Sequence, residues 1–86
     1  MANLVYGGEV SQEDVSNFSV TVRVDTHKVK SRGDWVYDIR AWCEENNIDM
    51  KWLGELTIHR DGRDWYEYDC LIKDEHERTL FMLKWA

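Results

Sequence analysis

The sequence predicts an α+β domain, an antiparallel three-stranded sheet of order 1-3-2 with two helices on one face. Three patterns lead there. Phe18, Val20, Val22 and Val24 alternate with Ser19, Thr21, Arg23 and Asp25, the period of a strand with one buried face. Trp35, Val36, Ile39, Trp42 and Cys43 recur at spacings of three and four, the apolar stripe of a helix. Residues 50–72 read as two amphipathic strands folded back around Asp61-Gly62.

The chain begins with its least decided segment. Residues 3–6 have the composition of a short edge strand stopped by Gly7-Gly8, and Ser11-Gln12-Glu13-Asp14 could open one helical turn. Residues 1–16 are therefore read as an edge strand or a mobile arm. After the first strand, Ser31-Arg32-Gly33-Asp34 has the form of a helix start, with Ser31 as N-cap and Asp34 in the place usual for Glu or Gln. Asn46-Asn47 supplies a left-handed stop.

In the hairpin, Met50, Trp52, Leu56 and Ile58 are assigned to the inner face, with Gly54 as a gap. Tyr66, Tyr68, Cys70 and Ile72 line the same face of the next strand. A two-residue turn at Asp61-Gly62 pairs residues whose numbers sum to 123, which sets inner positions opposite outer ones. A three-residue loop, Arg60-Asp61-Gly62 with a left-handed Gly62 in a bulge, gives a sum of 122 and aligns both faces. The second loop is preferred. It sets Glu55 against Glu67 on the outer face, where like charges repel and imply a partner, a metal or a neighbouring arginine.

At the C-terminal end, Asp74 and Glu77 form a cap-like start, and Leu80, Leu83 and Lys84 fit a helix. Strand-like alternation over residues 80–85 is the competing reading, and the helix is preferred. A right-handed crossover, with the last strand inserted between the first two, then gives a truncated ferredoxin-like β-α-β-β-α sandwich.

Composition narrows the function classes. Eighty-six residues make one domain, 1–86, with a single small core. A net charge of −6 repels phosphate backbones, which argues against direct nucleic-acid binding and favours a basic protein partner, nucleic-acid mimicry, or plain solubility. Cys43 and Cys70, the two cysteines, sit at apolar positions and do not make a secreted disulfide scaffold. No signal peptide or membrane span is evident, so a cytoplasmic protein without a membrane partner is expected.

The ending KDEHERTLFMLKWA, an acidic cap before an LF-L-W run, resembles that of many small uncharacterised auxiliary proteins of tailed bacteriophages. The helix DWVYDIRAWCEEN is similar to theirs in character. The likeness covers about a third of the chain. It implies a small protein acting on host machinery in the bacterial cytoplasm, and carries over no catalytic residues.

On the 122 register the outer face holds Trp65, Leu53 and Leu71 among Asp25, Glu55, Glu67 and Asp69. Aromatic and aliphatic anchors ringed by carboxylates suit the basic surface of a host protein, which the chain would occlude by stoichiometric binding without catalysis. The plainer reading neutralises the glutamates with Arg23 or Lys51 and covers Trp65 with the N-terminal segment. A metal-assisted hydrolase using Glu55, Glu67 and Asp69 is the enzymatic alternative, and a self-associating structural protein the third. His27, His59 and His76 lack zinc-site spacing, and no cofactor is implied. Oligomeric state is left open by the sequence.

Overall fold

The computed structural model describes residues 11–86. Three helices and three strands follow in the order α1 (Gln12–Phe18), β1 (Ser19–Asp25), α2 (Arg32–Glu45), β2 (Lys51–Arg60), β3 (Arg63–Leu71) and α3 (Glu75–Trp85), with a short 3-10 turn at Thr26–Lys28. The sheet is antiparallel with β3 central, order β1-β3-β2, as the crossover argument expects. The segment proposed as an edge strand at residues 3–6 lies outside the described residues.

The helix signals act as read. Ser31 accepts the Asp34 amide at 3.1 Å and starts α2; Asp74 accepts the Glu77 amide at 2.9 Å and starts α3, which settles the C-terminal segment as helix. Asn47 takes a left-handed φ of 56° behind α2, while the Ile48 amide returns to the Cys43 carbonyl at 2.8 Å.

Both helices pack on the inner face. Trp35, Val36, Ile39 and Cys43 of α2 and Phe81 of α3 bury against Val20, Val22, Tyr68, Cys70 and Ile72. Trp42 meets Phe81 and Trp85 edge-on, with ring centroids 6.3 Å away in each case, and so locks α2 to α3. The Tyr68 hydroxyl is buried but not orphaned, because Arg40 Nε donates to it at 3.3 Å.

Two expectations are corrected here. The turn that Ser11-Gln12-Glu13-Asp14 could open is a third helix, α1, capped by Ser11 through the Asp14 amide at 3.0 Å, and it replaces the mobile arm over residues 11–16. It lies against the outer face, where Val15 and Phe18 cover Leu53 and Leu71 in a second apolar cluster. Phe18, read as the first inner residue of β1, ends this helix instead. Lys73 ties α1 down through Asp14 at 2.9 Å, and the Ile72 amide bonds the Phe18 carbonyl at 3.1 Å.

The second correction is the hairpin register. Asp61 and Gly62 both have left-handed φ, 56° and 75°, the two-residue turn that Asp-Gly favours, so Arg60 pairs with Arg63. The sum of 123 holds from Arg60 to Gly54. A bulge between Trp52 and Gly54 then absorbs one residue, and Lys51↔Leu71 and Trp52↔Cys70 return to 122. The objection to the short turn, that it mismatches the faces, is thereby met within the strand. Between turn and bulge, every side chain of β2 lies on the face opposite to the one expected.

Candidate functional site

Because of that inversion, Leu56 and Ile58 stand on the outer face beside Glu67 and Trp65. Glu55 and Thr57 turn to the helix side. Arg32, at the start of α2, fixes both: its Nη1 donates to Thr57 Oγ1 at 3.1 Å, and its Nε stands 3.7 Å from the Glu55 carboxylate. Trp52 Nε1 donates to Glu55 as well, at 3.1 Å. Glu55 therefore does not confront Glu67, and the expected glutamate pair does not exist.

The rest of the expected docking set is divided. Leu53 and Leu71 are on the outer face but only 3% and 1% exposed, covered by α1, so they are core residues and not anchors. Asp25 caps the turn after β1, accepting the His27 amide at 2.9 Å. That bond, with the histidine ring beside it, holds its carboxyl below the usual range. Asp69 accepts the Thr21 hydroxyl at 2.7 Å. Glu67 is nearly buried and receives Arg23 Nε at 2.7 Å, the neutralisation foreseen in the plainer reading. Each of the four carboxylates thus has a partner within the chain. Among the described residues no three His, Cys, Asp or Glu side chains are grouped to hold a metal ion.

Trp65 alone of the aromatic and aliphatic trio remains accessible, half-buried on the outer face near the hairpin turn. With Ile58, Arg23, Arg60, Asp61 and Arg63 it lines an open depression of about 550 Å³. The Arg63 guanidinium lies over the indole, 6.0 Å from its centroid. Arg23 is committed to Glu67, but among the described residues neither Arg60 nor Arg63 forms an ion pair with a carboxylate. A second, smaller depression of about 370 Å³ lies between α1, Gly54, Leu56 and Asp69.

Ile58, Arg60 and Arg63 were absent from the site expected from sequence. The signal that could have placed them was the Asp-Gly dipeptide, whose preferred two-residue turn sends Ile58 and Arg60 to the Trp65 face. Both cysteines are remote from this chemistry. They are free and buried, and burial pushes the thiols of Cys43 and Cys70 up to about 11 and about 12. No helix among the described residues is long and apolar enough to cross a membrane. Comparison with protein-family models, curated proteins and solved structures gives no match to this chain.

Proposed function

We propose that the chain is a small binding protein that acts by stoichiometric contact, on a scaffold we take to be a truncated ferredoxin-like sandwich with an added helix. Its docking surface is the Trp65 depression. One observation carries the reading: a tryptophan and an isoleucine framed by three arginines, two of them in no ion pair among the described residues, with Arg63 only near enough to Asp25 to help lower its carboxyl. Tryptophan and arginine are the residue types that dominate binding energy at protein interfaces, and an accessible concave site concentrates it.

This reading changes the sign of the expected partner. Occluding a basic host surface needs carboxylates free to pair with it, and Asp25, Glu55, Glu67 and Asp69 are already engaged. The arginines favour a protein segment bearing aspartate or glutamate, held by bidentate bonds while an apolar side chain meets Trp65. In the setting that the likeness to phage auxiliary proteins implies, that segment belongs to a bacterial host protein.

The test is affinity capture from bacterial lysate with the wild type, Trp65→Ala and the double variant Arg60→Glu/Arg63→Glu. Loss of the tryptophan should weaken binding by about 2 kcal/mol or more, some thirtyfold, and charge reversal should abolish it. Retention of the same captured protein by both variants would place the interface elsewhere.

A further inference from the structure

The second strand carries information that the docking surface does not use. β2 is ten residues long and lies at the edge of the sheet, and among the described residues no strand pairs with its other side. In a two-residue hairpin the closing pair, here Arg60↔Arg63, exchanges hydrogen bonds. Ile58, Leu56 and Gly54 therefore also turn their amides and carbonyls toward β3. Glu55, Thr57 and His59 turn theirs outward, leaving a row of donors and acceptors facing away from the sheet. Soluble proteins blunt such edges or pair them. The bulge beside Leu53 limits the usable length to residues 54–60, and two large apolar side chains of β2, Trp52 and Leu56, are 44% and 43% exposed.

We propose that β2 pairs antiparallel with β2 of a second copy of this chain, about a two-fold axis through Leu56. Face matching and outward hydrogen bonding allow few registers, and the side chains choose among them. Centring the axis on Glu55 opposes two glutamates, which is unfavourable. Centring it on Thr57 gives a longer ladder, but it sets Arg60, a charged side chain that lines the Trp65 depression, over Gly54 in place of an apolar one. Centring it on Leu56 opposes Leu56 to its symmetry mate in a non-hydrogen-bonded pair, where side chains approach most closely.

That register also engages two features of the free edge. Ile58 of one copy falls opposite Gly54 of the other, and a Cβ at Gly54 would meet nothing within 4 Å, so there is room for the incoming side chain. On the helix side, Glu55 falls opposite Thr57 of the second copy, whose hydroxyl is held by Arg32. Each glutamate, already 3.7 Å from the guanidinium of its own Arg32, thus also faces that of the other copy, and symmetry makes the contact twice. The Glu55–Thr57 pairs supply about four backbone hydrogen bonds across the axis. The result is one six-stranded sheet with both Trp65 depressions on the same face. The inference does not depend on what those depressions bind.

Sedimentation velocity of the full chain over a hundredfold concentration range should show a monomer–dimer equilibrium. Leu56→Lys sets two like charges face to face and should raise the dissociation constant at least tenfold, on the order of 1.4 kcal/mol. Its circular dichroism should stay that of the wild type, because Leu56 is already 43% exposed. Leu56→Cys gives a direct geometric readout. Non-hydrogen-bonded pairs bring Cα atoms to about 4.5 Å, within disulfide range, so oxidised glutathione should link two copies, each disulfide formed as glutathione is reduced. The buried Cys43 and Cys70 stay out of that reaction. A monomer at every concentration overturns the proposal. So does linkage through Thr57→Cys, or through the exposed Leu83→Cys on α3, in place of Leu56→Cys.

Discussion

Leu71→Ala separates the two accounts of the outer face most sharply. As a docking anchor, Leu71 would stand in solvent and its truncation would leave stability within about 0.5 kcal/mol of wild type. The structure places it 1% exposed beneath Val15 and Phe18, beside Leu53. Truncation there removes buried methyl groups and leaves a cavity that α1 and the sheet can only partly close, at about 2–4 kcal/mol. An 86-residue domain is expected to have roughly 4–13 kcal/mol in all, so the loss is a large fraction of the total. Urea denaturation followed by tryptophan fluorescence should show the midpoint falling by about 1 M or more, and the melting temperature should drop by at least about 10 °C. Leu83→Ala is the internal control, the same side chain at 79% exposure, and it should move neither reading appreciably. Val15→Ala should be less costly in the Leu71→Ala background than alone, because the two truncations share one cluster. A Leu71→Ala midpoint indistinguishable from that of Leu83→Ala would refute the placement of α1 and return Leu71 to the surface.

Two further outcomes follow from pairs and burial. Arg23→Ala leaves the Glu67 carboxylate nearly buried without its 2.7 Å partner and should cost about 1–2 kcal/mol. The 58% exposure of the arginine lets water repay part of the loss, and Arg23→Ala/Glu67→Gln should recover stability relative to the single change. Cys43 and Cys70 should resist Ellman's reagent at pH 8 until the protein unfolds. The thiols, with pKa values raised in the folded state to about 11 and about 12 from 9.0, contribute stability fully present below pH 9. It is lost as pH rises through the folded values, because the unfolded chain releases those protons first. A urea midpoint that stays flat from pH 8 to 11 would contradict this burial.

Much of the architecture is legible in local chemistry. Ser31 and Asp74 announce their helices because each side chain can satisfy an otherwise unpaired amide at a helix start, and Asn47 ends α2 because it tolerates left-handed φ. The alternation of Val20, Val22 and Val24 fixes which face of β1 is buried, and chain connectivity then yields the strand order. The surface was less legible, because it depends on the register of one hairpin. Period two makes each strand's pattern self-consistent on either face, so one residue of slip converts Leu56 and Ile58 from core to surface and sends Glu55 to the helices.

By itself, then, the sequence determined the α+β class, the antiparallel 1-3-2 sheet and the two inner helices, all set by short-range hydrogen bonding and the burial of patterned apolar faces. The tertiary structure decided the rest. The bulge at Leu53 reconciles a tight Asp-Gly turn with a buried strand, and α1 returns to cover Leu53 and Leu71. Internal partners occupy the carboxylates, and the arginines gather round Trp65. Most of these depend on contacts between residues far apart in the chain, which no local pattern encodes; the Asp-Gly turn that brings Ile58 and Arg60 to Trp65 is the local exception.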